Sequence, residues 1–319
     1  SIGMSRSTVM WMYTLKRFIW ALATLLAIIT LTFFMMKLIP GDPFAQEGGL
    51  PETVRQNLHE YYHLDKPVYM QYWLYVKAIF QLDFGPSMKH QSLTVNDYIQ
   101  QGFPISFQLG VQALICAITF GFLFGVIAAL RRNRWPDYVS MIVATIGVSV
   151  PSFILATLLI HYVAVEWTLL PVATWESWSH SILPTVSLAL MPLAYIARLM
   201  RSSMLEVLSQ DYMMTAKAKG LKQSTIILSH AFRNAIIPIV TVLSLITANL
   251  VTGSFIIEYI FAIPGMGEMF VTSIFNRDYP VILGATIFYS AILIFLTFIV
   301  DVLYTWIDPR MTVTKVSSG

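Results

Sequence analysis

The sequence predicts an all-α membrane protein with six transmembrane helices and both termini on the cytoplasmic side. Of its 319 residues, 56% are hydrophobic and only 12% are charged, whereas soluble domains are about 45–50% apolar and about 25% charged. Mean hydropathy is +0.67. A lipid-exposed surface needs little charge, so composition excludes a disordered chain and favours an integral membrane protein over a soluble globule. The net charge of +3 is too small to indicate a nucleic-acid binder.

Six segments are long and apolar enough to cross a bilayer, which takes about 20 residues of α-helix. Most of them contain no charged residue. Arg198 and Arg201 lie at the end of the fourth segment, where long basic side chains are expected to reach toward the membrane surface. The predicted spans are residues 18–36, 103–130, 138–165, 182–200, 235–257 and 281–300.

The distribution of basic residues predicts the orientation of these spans. Thirteen of the 20 Lys and Arg residues fall in loops on one side, and five fall on the other. Short basic loops stay in the cytoplasm, so the more basic side is assigned there. The predicted organisation is a cytoplasmic N-terminal segment (1–17), a first transmembrane helix (18–39), an extracytoplasmic segment (40–102), a transmembrane core (103–305) and a cytoplasmic tail (306–319).

Two long connections are expected to contain short helices. In the extracytoplasmic segment, Pro51 fits the first position of a helix over residues 52–63, and apolar spacing predicts an amphipathic helix over 68–80. Ser87 is expected on the extracytoplasmic side of the membrane. In the cytoplasmic loop 206–234, Ser209 is predicted to cap a short helix that Gly220 ends. A second helix is expected from about Ser224 to Pro238.

Glycine and proline shape the spans. Gly121 and Gly125, four residues apart in the second span, allow two helices to pack closely. Other residues are expected to interrupt spans, and broken helices line transport paths in many carriers. These are Gly147, Pro151, Pro184, Pro192 and Pro238.

Candidate chemical sites are few. His59, Glu60 and His63 match the pattern of a zinc metalloprotease, in which two His four apart bind the metal and the Glu acts as base. No third ligand stands nearby, which favours a solvated external helix instead. Almost no acid lies deep in a span, which argues against an ion-coupled carrier. The chain also has no phosphate-binding loop of its own.

The residues after 214 resemble the EAA loop of permease subunits of bacterial ABC importers. Met214-Thr215-Ala216 is followed by Gly220 and then by Ile236-Ile237-Pro238. Met214-Thr215 replaces the family's Glu-Ala, and the distance from Gly220 to Pro238 exceeds that in sugar permeases; both departures match the peptide-importer branch. Further strings of that branch follow in order along the chain. They are PGDPF (40–44), LDKP (64–67), SVPSF (149–153), ARLMRSSMLEV (197–207), IPGMG (263–267), NRDYP (276–280) and DPR (308–310).

The chain thus resembles the B-type permease subunit of oligopeptide and dipeptide importers. The resemblance implies a bacterial inner-membrane location, a homologous second permease, two cytoplasmic ATPases that bind ATP and Mg, and an extracytoplasmic binding protein. It implies no catalytic residue, metal or cofactor in this chain. The residues expected to couple to the ATPase are Thr215, Ala216, Lys219, Gly220 and Leu221.

The translocation path is expected to include small or polar residues of the broken spans, namely Ser149, Ser152, Asn249 and Thr252. The substrate stays open between peptides and nickel or another chelated metal, which importers of the same branch carry. From other classes, an ion-coupled carrier and a membrane metalloprotease remain as alternatives.

Overall fold

The computed structural model of the protein describes residues 6–38, 51–90, 92–220, 222–251 and 254–307. Over these ranges the chain is helical, and its only β pairing is an isolated bridge between Pro86 and Thr94. The helices are α1 (Arg6–Leu38), α2 (Glu52–Tyr62), α3 (Val68–Phe80), α4 (Val95–Leu130), α5 (Trp135–Ser149), α6 (Ser152–Leu159) with a π-helical turn (Ile160–Glu166), α7 (Trp178–Leu208), α8 (Asp211–Ala218), α9 (Gln223–Thr225) with a π-helical turn (Ile226–Phe232), α10 (Arg233–Ala235), α11 (Ile237–Val251), α12 (Phe255–Ile260), α13 (Met266–Asn276) and α14 (Tyr279–Ile307).

Four stretches of helix in the described part of the chain are long and apolar enough to cross a membrane without a break. They are Met10–Leu38, Val95–Leu130, Trp178–Leu208 and Tyr279–Leu303. Two further spans are bent pairs of helices. Trp135–Ser149 and Ser152–Glu166 meet at 109°, and Gln223–Val240 and Leu245–Ile260 meet at 64°. Counting each bent pair as one span gives the six that the sequence predicts, and the chain is a multi-pass membrane protein.

The prolines act differently from one another. Pro151 separates α5 from α6, and Val150 before it is extended at φ −92° and ψ 120° because the proline ring disfavours a helical residue there. Pro238 lies in the first turn of α11, where a missing N–H is not needed. The expectation that Pro184 and Pro192 interrupt a span is wrong, since both lie inside the continuous helix α7. Transmembrane helices tolerate such residues where neighbouring groups satisfy the freed carbonyls.

The chain divides into two compact units, one of Ser1–Ser106 and Pro264–Gly319 and the other of Phe107–Ile263. In the first unit, α1 pairs with α14. Arg17 Nη1 lies 3.0 Å from Asp301 Oδ2, and the Phe18 and Phe298 rings meet edge to face at 6.0 Å. Aromatic packing and one ion pair therefore hold the first and last long helices together.

Helices α2 and α3 occupy the places that the sequence predicts, although Pro51 caps α2 instead of starting it. An aromatic cluster joins them to α1. The Tyr75 ring lies 5.5 Å from that of Phe33 and 6.1 Å from that of Tyr62, and the Tyr72 hydroxyl is 2.7 Å from Thr30 Oγ1. Burial raises the pKa of the Tyr62 and Tyr75 phenols well above the usual value, so both remain neutral and pack as apolar groups.

A buried carboxylate organises the turn between α13 and α14. Asp278 is 3% exposed and accepts hydrogen bonds from the Ser87 hydroxyl and, at 3.1 Å, from the Met88 amide. Ser87 is itself 1% exposed. The segment after α3 is therefore tied down on this turn. Ser87 is buried there and is unsuitable for labelling, and its place on the extracytoplasmic side stays a prediction. The partners replace the water that a buried carboxylate loses.

In the second unit, α7 is packed closely by α4 and α5. A Cβ added at Gly121 would lie 2.8 Å from Ile196 Cβ, and one at Gly125 would lie 2.6 Å from Met200 Cβ. The prediction that this glycine pair serves helix packing is confirmed. A Cβ added at Gly147 of α5 would likewise lie 2.9 Å from Ala194 Cβ, and α5 continues through Gly147, so the expectation that this glycine interrupts a span is wrong. Because lipid supplies no hydrophobic force between helices, such close van der Waals contact is what holds them together.

One ion pair closes the α5–α7 contact at the end opposite Gly147. Arg201 Nε and Nη2 donate to the two carboxylate oxygens of Asp137 at 2.6 and 2.8 Å. Asp137 also accepts from the Asn133 amide at 2.9 Å and is only 2% exposed. The two-point geometry sets the position of α5 along α7 as well as its distance.

Arg201→Ala is expected to destabilise the protein by about 3–5 kcal/mol, because it leaves the Asp137 carboxylate buried without its partner. The measurement is unfolding of the purified protein in mixed micelles with increasing SDS. The matched variant Asp137→Leu/Arg201→Met removes both charges and is expected to recover most of the loss. If the free energy of unfolding of Arg201→Ala lay within about 1 kcal/mol of the wild-type value, this account would be contradicted.

Cysteine labelling tests the predicted orientation. Asn57 on α2 and Ser209 after α7 are both exposed, unlike Ser87. In a Cys116→Ser background, Asn57→Cys is expected to react with an impermeant maleimide in intact cells, and Ser209→Cys only after the membrane is opened, because basic loops stay inside. Reaction of both positions from the same side would show that the predicted topology is wrong.

Candidate functional site

The connection between α7 and α11 carries the residues predicted to couple to an ATPase. Its first feature is the end of α7, where the Ser209 hydroxyl donates to the Glu206 carbonyl at 2.7 Å and the Ser209 amide donates to the same oxygen at 3.2 Å. Ser209 therefore closes α7, and the expectation that it caps the next helix is wrong. Helix α8 begins at Asp211, whose negative charge stabilises the helix by interacting with the positive end of its dipole.

One face of α8 is anchored in the second unit. Met213 is fully buried in a cluster with Met200 and Met204 of α7 and with Ile226 and Ala231 of the following π-helical turn. On the neighbouring face, the Asn234 side-chain amide donates to the Tyr212 hydroxyl at 3.0 Å. Sequence reasoning missed Met213, because Met213 and Met214 are adjacent and identical and only packing shows which one is buried.

The other end of α8 leaves open space beside Gly220. Gly220 follows the helix at φ +74°, and a Cβ added there would have no heavy atom of the described residues within 4 Å. The left-handed conformation explains the glycine, since it strains residues that carry a side chain. The two basic side chains nearest in sequence, Lys219 and Lys222, are exposed. The result is a projecting, positively charged helix end with room for a partner to approach its backbone.

The other predicted coupling residues lie on or next to this end. Thr215 is exposed, its hydroxyl donates to the Asp211 carbonyl at 3.2 Å, and its own carbonyl accepts from the Lys219 amide at 3.0 Å. Ala216 belongs to α8, and Leu221 lies outside the described residues. The structure thus joins Thr215, Lys219 and Gly220 in one short stretch whose backbone is held by helical hydrogen bonds.

The four residues predicted for a translocation path fall in different places. Ser149 is exposed at the end of α5, and Ser152 is half-buried at the start of α6, so the break at Pro151 separates them. Asn249 is exposed on α11, and its side-chain amide donates to the Leu245 carbonyl of its own helix at 3.0 Å. Thr252 lies outside the described residues.

The possible metal-binding pair does not have the geometry that the motif requires. Helix α2 ends at Tyr62, and His63 follows it in the left-handed conformation at φ 49°. In the metalloprotease pattern both imidazoles project from consecutive turns of one helix. His59 and His63 are therefore not presented together on a helical face, and among the described residues no cluster of three His, Cys, Asp or Glu side chains is arranged to hold a metal ion.

Comparison with known proteins agrees with this picture. Residues 121–313 match the family described as "Binding-protein-dependent transport system inner membrane component", and residues 10–110 match its N-terminal companion. A solved structure of the MetNI methionine ABC transporter in inward-facing conformations shares the fold, with a TM-score of 0.53 and 16% identity over 68% of this chain and 95% of that one.

Close relatives are named as permease proteins, which supports the prediction of a transport subunit rather than an enzyme. The dipeptide transport system permease protein DppB of Bacillus subtilis is 56% identical over 95% of this chain and 98% of its own length. The oligopeptide transport system permease protein OppB of Haemophilus influenzae is 43% identical over 94% of this chain and 98% of its own length. On this evidence, the chain belongs to the family of binding-protein-dependent transport system inner membrane components.

Proposed function

We propose that this protein is the transmembrane permease subunit of an ATP-driven ABC importer for dipeptides or oligopeptides. The observation that carries the proposal is the 56% identity to a dipeptide permease over 95% of the chain. The importer acts in a bacterial cytoplasmic membrane, with both termini of this chain inside. Its other components are a homologous second permease, two cytoplasmic ATPases that bind ATP and Mg, and an extracytoplasmic protein that delivers the peptide.

In this proposal α8 is the helix that docks with an ATPase. Its exposed end around Gly220 offers the contact surface, and Met213 anchors it in the buried cluster that also contains Met200 and Met204 of α7. When ATP binds to or leaves the partner, a displacement of α8 is transmitted to α7 through this packed cluster rather than being absorbed by a flexible loop. The nucleotide thereby selects one of two arrangements of the spans.

The translocation path runs, in this proposal, along the break between α5 and α6 and past α11. Ser149, Ser152, Asn249 and Thr252 contribute hydroxyl and amide groups that can hydrogen-bond a peptide backbone. A path that accepts varied peptides has to contact the groups that all peptides share. Spans with few charged residues suit a path that binds the peptide backbone and does not select particular side chains.

Uptake by the complete complex tests the function. The complex is reconstituted in proteoliposomes with ATP inside and the cognate binding protein outside, and supplied separately with labelled tri-alanine and with nickel. We expect ATP-dependent uptake of the peptide and none of nickel. Uptake of nickel without peptide would replace the proposed substrate by a metal, and uptake that continues without ATP would contradict the ABC mechanism.

Gly220→Val tests the role of α8. Its φ of +74° makes a β-branched residue cost about 1 kcal/mol or more. A Cβ there meets no heavy atom of the described residues within 4 Å, so any further loss is attributed to a partner. We expect insertion and pairing with the second permease to remain normal, while transport per ATP hydrolysed falls about tenfold or the ATPases no longer co-purify.

A matched variant separates local strain from docking. Asn tolerates positive φ better than Val does, so Gly220→Asn should be nearly normal if strain alone matters, and impaired if the added side chain meets the ATPase. We expect impairment in both. Wild-type coupling and ATPase retention in Gly220→Val would show that this helix end does not transmit the ATP signal.

A further inference from the structure

Arg198 is a cation on a membrane-spanning helix that has no acidic partner among the described residues. It lies on α7, is exposed in this chain, and its Nη2 donates to the Thr145 hydroxyl of α5 at 2.8 Å. Arg201, three residues further on, is instead locked to Asp137. The two arginines of the fourth span therefore have different environments.

The Arg198 side chain points toward the N-terminal part of α7, away from the C-terminal end of the fourth span. The α5–α7 register is set by Asp137 against Arg201 at one end and by Gly147 against Ala194 at the other. Thr145 is two residues from Gly147, so the guanidinium reaches from position 198 toward the level of Ala194. Side chains lean toward the N-terminus of their helix, which is the same direction. The expectation that Arg198 reaches out to the membrane surface is therefore wrong.

Arg198 belongs to an exposed face of mixed composition, which we name the Arg198 face. Its polar members are Thr145 and Ser149 on α5 and Tyr195 and Arg198 on α7, and the exposed Ile142, Ile146 and Met191 supply apolar surface between them. Arg198 lies two residues before the end of the predicted span, and its hydrogen bond to Thr145 directs the guanidinium into the span. A charged group directed into a span faces a water-filled path or a protein partner because contact with lipid is costly.

We propose that the Arg198 face lines the translocation path and that Arg198 binds the C-terminal carboxylate of the passing peptide. This inference rests on the proposed function. The terminal carboxylate is the one acid that every peptide carries whatever its side chains, so it suits a carrier with broad specificity. A guanidinium donates two parallel hydrogen bonds to a carboxylate, and the Thr145 hydroxyl holds it in place for that contact.

The arrangement also suits transient binding. Arg201 has a buried, permanent partner, whereas Arg198 is exposed and uses only Nη2 to bond the neutral Thr145 hydroxyl, which leaves its other N–H groups for a carboxylate. The Ser149 and Tyr195 hydroxyls on the same face offer hydrogen-bond partners to the rest of the peptide backbone. A permanent acidic partner on the second permease would instead bury Arg198 and close this face, and the experiment distinguishes that case.

The test compares tri-alanine with tri-alanine amide in proteoliposomes that contain the complete complex and saturating binding protein. Because the same binding protein serves every variant, its own preference cancels in the comparison. In Arg198→Gln we expect uptake of the free acid to fall about tenfold or more, which is the usual effect of a lost charge-assisted hydrogen bond, and uptake of the amide to change less than about twofold. Arg198→Lys retains the charge and should keep part of the preference for the acid. The surface variant Arg55→Gln should keep all of it.

Equal losses for both peptides in Arg198→Gln would overturn the inference and indicate a partner on the second permease or a structural role. If Arg198→Gln still preferred tri-alanine to its amide as strongly as the wild type does, the inference would also be overturned. If no wild-type uptake of either peptide is seen, the proposed function itself fails and takes this inference with it. If Arg198→Gln does not assemble, a second measurement decides. In a Cys116→Ser background, Ser149→Cys should react with a water-soluble maleimide in the assembled complex, and tri-alanine should slow the reaction more than its amide. No reaction, or equal slowing, overturns the inference.

Discussion

The close packing around α7 is the constraint on which the second unit depends. Three glycines, Gly121, Gly125 and Gly147, bring the backbones of α4 and α5 to within contact of α7. Lipid tails are as apolar as leucine, so burial of apolar side chains alone does not hold helices together in a bilayer, and short van der Waals distances must do so. The Asp137–Arg201 pair adds direction, because its two hydrogen bonds allow only one register between α5 and α7.

The same packing connects the membrane spans to the proposed docking helix. Met200 of α7 packs against Gly125 of α4, where no side chain separates the two helices. Met200 also belongs to the buried cluster that contains Met204 of α7 and Met213 of α8. Interiors packed in this way transmit displacement because they have few voids to absorb it. Helix α8 is anchored by the buried Met213 and has open space beside Gly220 at its other end, so in the proposed complex it can receive a force from a partner and pass it on to α7.

Several breaks and buried polar groups lie where other residues of the protein satisfy them. Pro151 opens the third span beside Ser149, whereas Pro184 and Pro192 leave α7 intact. In the first unit, Asp278 is buried only where Ser87 and Met88 donate to it. These arrangements follow one rule: a polar group removed from water needs a partner inside the protein. Arg198 is different because it is exposed in this chain and has a neutral hydroxyl, but no acid, as its partner among the described residues.

The sequence by itself determined the fold class, the number of spans, the helices α2 and α3 and the glycine after α8. Each follows from local signals, namely apolar length, helical periodicity and the φ angle that only glycine adopts freely. The family resemblance was also carried by short local strings. Tertiary structure alone decided which prolines break a span, which of two adjacent methionines anchors α8, and which way Arg198 points. Those outcomes depend on contacts between residues far apart in the chain, such as Gly147 with Ala194 and Asp137 with Arg201, and no local pattern encodes the register that brings such residues together.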